Sequence, residues 1–361
     1  MNFSAKSKEH MDSCRFCWMC RHICPIGNAT GQERNTARAR GMILALVARE
    51  GVEYSEDIVN NIYECALCGA CVKECVTGWD PVMFTKEARL AAALEGKLPA
   101  YIEKMIDTLE KTGNIYGLEI DGELKKTIDS LDSSDTLLFL GADARYKTPA
   151  KAVKAIELLK KAGVDFTVLA DEPDSGYAMD FMVGAAAETK QIMEKAAKQL
   201  DYKKIICYDP ADAKVFMREY KEWGIELNAE VVTFTSFLSE LIKGGIIKLK
   251  KSEKAFTFQD PAALARDLEE SEPAREILGA CGELREMLLN RKDTMLGGNL
   301  IMNEYMPEVM KKTAENRWRD ALNMGAETVV TASPAEYAVM SEVKPENADL
   351  ITIEEAVLQC L

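Results

Sequence analysis

The pattern of hydrophobic and polar positions changes near residue 135. Before that point, apolar and small residues recur at helical spacing in residues 35–50, 58–63 and 85–95. Residues 101–134 are more polar but keep a helical pattern. The first part of the chain is therefore predicted to be all-helical.

Beyond residue 135, short apolar runs alternate with amphipathic segments. A helix is predicted over residues 149–161, with Pro149 at its start and Gly163 after its end. Strands are predicted at residues 136–140, 165–170, 203–207, 230–234, 255–258, 328–331 and 350–353. Strands that alternate with helices are typical of α/β structure with largely parallel sheets.

An internal repeat divides this α/β part. Residues 201–216 align with residues 326–340, and each copy is a strand that ends in a Pro-Ala turn and leads into a helix. Asp174 and Met295 precede the two turns by 35 and 38 residues, and each stands two residues before a glycine. The repeat predicts two related α/β lobes.

Eight of the eleven cysteines lie before residue 76, in two runs with the spacing C-x2-C-x2-C-x3-C. The runs are Cys14, Cys17, Cys20 and Cys24, and Cys65, Cys68, Cys71 and Cys75. Three thiolates spaced in this way can each reach one iron of a cubane 4Fe-4S cluster, and the fourth cysteine of a run ligates the neighbouring cluster. This rule predicts two clusters with crossed ligands. One is held by Cys14, Cys17, Cys20 and Cys75, and the other by Cys65, Cys68, Cys71 and Cys24.

Structural zinc and disulfides are the alternatives. Zinc sites favour two CxxC pairs over runs of four, and a cytosolic compartment disfavours disulfides. Pro25 follows the first run as in the cluster motif, whereas Val76 stands at that position in the second run, a departure that removes no ligand. The three single cysteines are interpreted as structural residues: Cys207, Cys281 and Cys360.

The position of the cysteine runs completes the predicted organisation. The fold class is predicted to be an α+β multidomain chain, with an all-helical two-cluster ferredoxin-like domain followed by two related α/β lobes with largely parallel sheets. The expected boundaries are residues 1–100 for the ferredoxin-like domain, 101–134 for a helical connection, 135–250 for the first lobe and 251–361 for the second.

Composition and charge restrict the partners and the location. The net charge of −14 argues against sequence-independent binding to nucleic acid or to anionic lipid. The longest apolar run, residues 42–48, is far shorter than the about 20 residues of a transmembrane helix, and the N-terminus has no apolar signal core. A cytoplasmic protein without a transmembrane segment is expected. Five arginines near the first run either offset the negative charge of the clusters or form a solvated basic face: Arg15, Arg21, Arg34, Arg38 and Arg40.

Two such cysteine runs ahead of a duplicated α/β region resemble the family that contains the D subunit of heterodisulfide reductase and the iron–sulfur subunits of anaerobic glycerol-3-phosphate dehydrogenase and glycolate oxidase. The resemblance covers nearly the whole chain, and beyond the cysteines it includes the turns at residues 259–262, 273–278 and 325–331. It implies an electron-transfer subunit whose flavin lies on a partner subunit and not on this chain.

The α/β lobes depart from that family at its cysteine signatures, which are paired cysteines before glycine and a Cys-Pro-x-Cys turn. This chain has Asp174-Ser175 and Met295-Leu296 at the pairs, Asp209-Pro210-Ala211-Asp212 and Ser333-Pro334-Ala335-Glu336 at the turns, and Ala142 and Ala262 at two further cysteine positions. Alanine, methionine and leucine offer no anionic donor, and carboxylates are poor substitutes for thiolate at an iron–sulfur centre. Thiol chemistry or a third cluster in the lobes is therefore not expected.

The leading hypothesis is an electron-transfer subunit of an oxidoreductase complex that relays single electrons through two 4Fe-4S clusters to or from a flavoprotein dehydrogenase or reductase. Ferredoxin or another electron carrier is a further candidate partner. No catalytic residue is assigned, because the sequence has no Ser-His-Asp or Cys-His set and no nucleotide-binding loop.

Two other functions stay open. The first is a reductase with its own substrate site between the lobes, in which carboxylates act as acid–base groups where the family has cysteines: Asp174, Asp209, Asp212 and Glu336. The second is a cluster-bearing regulatory sensor. The acidic charge opposes this last function, and the sequence has no recognisable DNA-reading element.

Overall fold

The computed structural model of the protein describes residues 3–361. Its part up to residue 134 is helical and contains no strand within residues 3–134. The α-helices are Ala5–Asp12, Met19–His22, Pro25–Thr30, Ala37–Ala48, Glu56–Tyr63, Ala70–Glu74, Pro81–Leu94, Ala100–Thr112 and Gly122–Asp129, with a 3-10 turn at Glu33–Asn35. The prediction of an all-helical first part is confirmed.

The helix Pro81–Leu94 begins one turn earlier than the pattern predicted. Asp80 is its N-cap, and its Oδ1 accepts hydrogen bonds from the Val82 and Met83 N–H groups at 2.9 and 3.0 Å. Pro81 occupies the first helical position, where its fixed φ is favourable and its missing N–H costs nothing. This cap, rather than the apolar periodicity, sets the start of the helix.

The first sheet has three parallel strands in the order β1-β2-β3, and it contains β1 (Thr136–Phe139), β2 (Lys204–Cys207) and β3 (Glu230–Thr233). Helices connect and cover these strands. They are Ala142–Tyr146, Pro149–Lys161, Tyr177–Val183, Ala187–Gln199, Pro210–Lys214, Tyr220–Glu222 and Phe234–Lys243, with a π-helical turn at Val215–Glu219.

The prediction of a strand over residues 165–170 is wrong. Only Thr167 bridges to the edge of β1, through the Leu138 N–H to the Thr167 carbonyl and the Thr167 N–H to the Thr136 carbonyl, both at 2.8 Å. Further along, the Glu172 carboxylate instead accepts the N–H groups of Leu140 and Gly141. A side chain has replaced the backbone partner that would continue the strand.

The second sheet is also parallel, in the order β5-β4-β6-β7, and it contains β4 (Ala255–Gln259), β5 (Glu283–Leu284), β6 (Thr328–Thr331) and β7 (Asp349–Thr352). Its α-helices are Glu272–Cys281, Leu300–Asn303, Pro307–Asn323, Pro334–Glu342 and Ile353–Cys360, with a π-helical turn at Ala263–Asp267 and a 3-10 turn at Arg291–Asp293. The prediction of parallel sheets is therefore confirmed in both.

The two turns of the internal repeat have the same local structure. Each follows a buried strand, β2 or β6, and begins a helix with proline at its start. Asp209 caps the first helix by accepting the Ala211 N–H at 2.9 Å, and Ser333 caps the second by accepting the Glu336 N–H at 3.4 Å. Both turns therefore lie at the carboxyl ends of parallel strands, which is where ligand sites form in open α/β sheets.

Apolar packing joins the parts of the molecule. Leu138 of the first sheet belongs to the same buried cluster as Phe258 of the second. The helical part is tied to the α/β part by the Tyr63 hydroxyl, which donates to the Met182 carbonyl at 2.8 Å. The Tyr305 hydroxyl in turn donates to the Tyr63 carbonyl at 2.8 Å. These contacts anchor the helical part, which carries the cysteine runs, to both α/β parts.

Candidate metal centre

Cys24 lies with the cysteines of the second run. It lines one small cavity together with Cys65, Cys68 and Cys71, next to the buried Arg40. Burial raises the pKa of Cys71 well above its usual value, and the neighbouring thiols of Cys68, Cys65 and Cys24 raise it further. These four sulfurs therefore surround the same space.

Cys75 lies with the cysteines of the first run. The pKa of Cys20 is raised to about 12, first by burial and then by the neighbouring thiols of Cys14, Cys17 and Cys75, with Cys24 having the smallest effect. Cys17 is exposed, whereas Cys20 is buried. The structure therefore places the fourth cysteine of each run beside the other run.

This donor set suits an iron–sulfur cluster better than a single zinc ion. Neighbouring thiols that raise each other's pKa cannot all ionise without a nearby positive charge, and ligated iron would supply that charge because thiolate is the ligand form. A structural zinc site is closed by its own two CxxC pairs, whereas exchange of the fourth cysteine between two runs is the arrangement of paired clusters.

The two runs share an unusual backbone conformation. The second residue after the first cysteine has positive φ in both runs, 57° at Phe16 and 50° at Leu67. The fourth residue does as well, with 73° at Trp18 and 71° at Gly69. This conformation turns the Leu67 N–H toward the Cys65 sulfur, at 3.4 Å. Equal spacing in the sequence has therefore produced equal loops.

Arg266 holds the second loop from outside. It lies in the π-helical turn Ala263–Asp267 and donates from Nε to the Cys68 carbonyl at 2.7 Å, and from Nη1 to the Thr294 carbonyl at 2.7 Å. Its charge also opposes the rise in the pKa of Cys68 that burial causes. No role for this side chain could be predicted, because its partner Cys68 lies 198 residues away in the sequence and no local pattern indicates the contact.

Arg89 holds the same loop from the opposite direction. The side chain is fully buried and donates to three backbone carbonyls, those of Cys65 at 2.6 Å, Ile62 at 3.0 Å and Phe181 at 2.6 Å. Its guanidinium also lies over the Tyr63 ring, 4.9 Å from the centroid. Arg89 was likewise missed, since a single arginine on an amphipathic helix gives no sign that it will be buried.

The five arginines near the first run have different environments. Arg40 is buried and donates to the Cys24 sulfur at 3.6 Å and to the Asn35 carbonyl at 2.8 Å. The others lie nearer to solvent, where Arg21 and Arg38 share Glu33 as their ion-pair partner. Arg40 therefore suits charge compensation at the cysteines, whereas the remaining arginines form an outer basic face.

Three of the four predicted acid–base residues converge in one pocket. Asp174, Asp209 and Asp212 line it together with Ser175. The Ser175 hydroxyl donates to the Asp212 carboxylate, and Asp174 Oδ1 accepts the Gly176 N–H at 2.6 Å. Burial raises the pKa of each of the three carboxyls, and the Asp209 charge raises the pKa of Asp212 further.

Glu336 lies instead in an adjoining cavity where the helical part meets both α/β parts. Cys68, Asp180 and Asp209 also line this cavity. Glu336 Oε1 accepts the Gly297 N–H at 3.0 Å, but its Oε2 has no partner among the described residues, and neither has Asp180 Oδ1. Burial raises the pKa of Glu336 to about 7. A cavity with unpaired carboxylate oxygens therefore reaches a cysteine of the second run.

The three single cysteines are all buried. Cys207 lies within β2, and Cys360 is next to Cys281, whose carbonyl its thiol contacts at 3.6 Å. These positions agree with a structural role.

The comparisons with known proteins agree with this geometry. Residues 10–79 match the family described as a 4Fe-4S dicluster domain. The D subunit of the dihydromethanophenazine:CoB–CoM heterodisulfide reductase of Methanosarcina acetivorans is 26% identical, over 92% of this chain and 89% of that protein. A probable membrane-anchored ferredoxin of Chromohalobacter salexigens is 26% identical over 92% of this chain and 57% of that protein. An uncharacterized iron–sulfur protein of Methanocaldococcus jannaschii is 22% identical over 94% of this chain and 69% of that protein.

In residues 3–361, no helix has both the length and the apolar character that a membrane crossing requires. The relatives are aligned along nearly the whole chain, and the dicluster family covers both cysteine runs. The chain is therefore a homologue of the heterodisulfide reductase D subunit and of ferredoxin-like proteins, and its 4Fe-4S dicluster match supports an iron–sulfur electron-transfer protein related to oxidoreductase subunits.

Proposed function

We propose that this chain is the electron-transfer subunit of an oxidoreductase complex and that it holds two 4Fe-4S clusters. One cluster is ligated by Cys14, Cys17, Cys20 and Cys75, and the other by Cys65, Cys68, Cys71 and Cys24. The proposed domains are residues 1–100, 101–134, 135–250 and 251–361. The observation that carries the proposal is that Cys24 lines a cavity with Cys65, Cys68 and Cys71, and that Cys75 is a near neighbour of Cys20. Proximity of each fourth cysteine to the other run is what crossed ligation of paired clusters requires.

The clusters, when bound, supply reversible transfer of single electrons. The chain's own residues hold them, shield them and adjust the local charge. The buried Arg40 places a positive charge against the Cys24 sulfur, and the Leu67 N–H faces the Cys65 sulfur. Such groups stabilise the more negative, reduced state.

The partner is proposed to be a flavoprotein dehydrogenase or reductase, with a ferredoxin or similar protein as a second carrier. The name of the Methanosarcina relative, one subunit of a heterodisulfide reductase, supports membership of a multisubunit complex. The absence of a catalytic set in the sequence supports placing the substrate chemistry on the partner.

Iron and sulfide analysis tests the number of clusters. Anaerobically isolated protein is expected to contain about eight iron and eight sulfide per chain, as two cubanes require. About four iron would contradict the two-cluster proposal. About twelve iron would show that the α/β part holds a further cluster despite its lost cysteines.

A second candidate function is supported by the cavity at Glu336. Glu336 and Asp180 line a cavity that Cys68 also lines, and each has one carboxylate oxygen without a partner among the described residues. The Glu336 carboxyl, whose pKa burial raises to about 7, can exchange protons with a bound molecule near neutral pH. On this alternative, the chain itself is a reductase with a substrate site beside the second cysteine run.

Substitution of the carboxyls separates the two functions. Asp209→Asn and Glu336→Gln should change electron transfer in the reconstituted complex by less than about threefold if the α/β part is a scaffold. A loss of about 10²-fold or more, with iron content and complex formation intact, would favour a substrate site. Asp135→Asn is the matched control, because Asp135 is exposed and distant in sequence from both turns.

A further inference from the structure

The surface around the first cysteine run is unusually apolar for an exposed region. Phe16, Trp18 and Met19 have exposed fractions of 58%, 46% and 47%, and Val76, next to Cys75, is 91% exposed. We call this surface the Cys17 face and define it as Arg15, Phe16, Trp18, Met19 and Val76 around the exposed Cys17. Several large exposed apolar side chains beside one site are a feature of interaction surfaces.

The backbone supports that interpretation. Phe16 and Trp18 have positive φ, a conformation that is unfavourable for residues other than glycine. The second run has Gly69 at the position equivalent to Trp18, so the loop itself does not require a large side chain there. The Trp18 ring is held under the Arg38 guanidinium, 4.3 Å from the ring centroid. An aromatic side chain is thus kept at the surface in a costly conformation.

The charge around the Cys17 face is opposite to that of the whole chain. Residues 3–40 contain seven Lys or Arg and three Asp or Glu, although the protein has a net charge of −14. Arg15 is exposed, and its guanidinium donates to the backbone carbonyls of Asp12 and Cys14 at 2.9 and 3.2 Å. These carbonyls carry no formal charge, so the positive charge of Arg15 remains effective toward a partner.

We propose that the Cys17 face is the docking surface for an acidic electron-carrier protein. This inference rests on the proposed function. The basic side chains would steer an acidic carrier toward the face, and the apolar side chains would exclude water from the contact. The exposed Cys17 puts a proposed ligand at that contact. In the reaction, the reduced carrier loses one electron and this chain gains it, and no covalent bond forms or breaks.

Stopped-flow kinetics with the iron-loaded chain tests this proposal. The probe is a reduced ferredoxin of net negative charge, and photoreduced deazaflavin serves as a small reductant that needs no docking surface. The second-order rate constant with ferredoxin should fall about tenfold between low and high salt. Arg15→Glu and Val76→Glu should each lower it about tenfold at low salt, with unchanged iron content and unchanged reduction by deazaflavin.

Two matched controls complete the design. Lys104→Glu repeats the charge reversal at an exposed lysine on the helix Ala100–Thr112, and Leu288→Glu repeats the apolar-to-acidic change at a residue that is 86% exposed. Both should stay within about twofold of the wild-type rate constant. Wild-type rate constants in Arg15→Glu and Val76→Glu, or a rate constant that rises with salt, would overturn the docking proposal and leave the proposed function standing. If deazaflavin reduces no iron–sulfur signal, the proposed function fails, and the docking proposal fails with it.

Discussion

The two cysteine runs have the same spacing and the same backbone turns, yet their surroundings differ greatly. The first lies at the surface, where Cys17 is exposed and apolar side chains face solvent. The cysteines of the second run are buried or half-buried, and Arg89 and Arg266 donate hydrogen bonds to the carbonyls of Cys65 and Cys68. The motif therefore determines the local loop, whereas the rest of the chain determines whether that loop faces a partner or the interior.

The difference in exposure between the two runs distinguishes a surface side of the site from an interior side. A partner docked at the proposed Cys17 face would meet the first run, whereas Cys68 of the second run lines the cavity that also contains Glu336. The backbone of the second run accepts hydrogen bonds from the charged side chains of Arg89 and Arg266, and the loss of either bond is costly. The exposed run has ion pairs near solvent, which contribute little to stability.

The largest expected effect is on the clusters themselves. Cys24→Ala should remove the cluster of the second run, and Cys75→Ala that of the first, because each variant deletes a ligand supplied by the other run. Each variant should retain about four of eight iron, and the two should have different electron paramagnetic resonance signals. If Cys75→Ala spares the cluster of the first run and removes the other, the crossed assignment is wrong.

The next effect concerns stability. Arg89→Met should lower the free energy of unfolding by about 3 kcal/mol, because three buried carbonyls lose a charged donor. Denaturant unfolding of the iron-loaded protein measures it. Arg49→Met is the control, since Arg49 pairs with Asp12 at the surface and should contribute less than about 0.5 kcal/mol. Equal decreases in the free energy of unfolding of the two variants would contradict the inference that buried charged hydrogen bonds hold the second run more firmly than surface ion pairs hold the first.

A smaller effect is expected on the reduction potential. Arg40→Met removes a buried positive charge beside Cys24 and should lower the potential of the second-run cluster by on the order of 60 mV, the one-electron equivalent of about 1.4 kcal/mol. Redox titration followed by electron paramagnetic resonance measures it. Arg21→Met removes a solvent-exposed charge near the first run and should have a much smaller effect. A larger shift in the Arg21 variant would reverse the assignment of roles.

The last expected effect is a pH dependence of stability that arises at Glu336, in the cavity beside the second run. The pKa of Glu336 is raised from its usual 4.5 to about 7, so the folded state holds a proton that the unfolded state has lost. Glu336 should therefore cost stability progressively as the pH rises from about 4.5 to about 7, and then level off. One pKa unit corresponds to about 1.4 kcal/mol, so this loss is on the order of 2–3 kcal/mol between pH 5 and pH 8. Glu336→Gln should remove it, measured as the change in the wild-type minus variant difference in unfolding free energy between the two pH values. A difference that does not change with pH would contradict it.

Local signals in the sequence were sufficient for much of the fold. Apolar runs followed by a Pro-Ala turn predicted β2 and β6 correctly, because a buried strand and a proline-capped helix are both determined by nearby residues. The strand at residues 165–170 was mispredicted because the competing partner is a side chain, Glu172, whose reach is not visible in a pattern.

At the site, too, features set by nearby residues were predicted and features set by distant contacts were not. The grouping of cysteines was predicted from their spacing, whereas the roles of Arg89 and Arg266 depend on contacts between distant parts of the chain. The separation of Glu336 from Asp174 and Asp212 likewise depends on how the two sheets pack, whereas the sequence repeat aligns only Asp212 with Glu336.

The hydrogen bond between Arg266 and the Cys68 carbonyl also has a consequence for biosynthesis. The two residues are 198 positions apart, so at about 5–20 residues per second the ribosome makes Arg266 on the order of 10–40 s after Cys68. The first loop has all its proposed ligands once Cys75 has emerged, whereas the second loop lacks its outer anchor until the last quarter of the chain is made. Chains truncated before residue 266 should therefore fill the first loop and leave the second poorly filled, which makes metal insertion an ordered process.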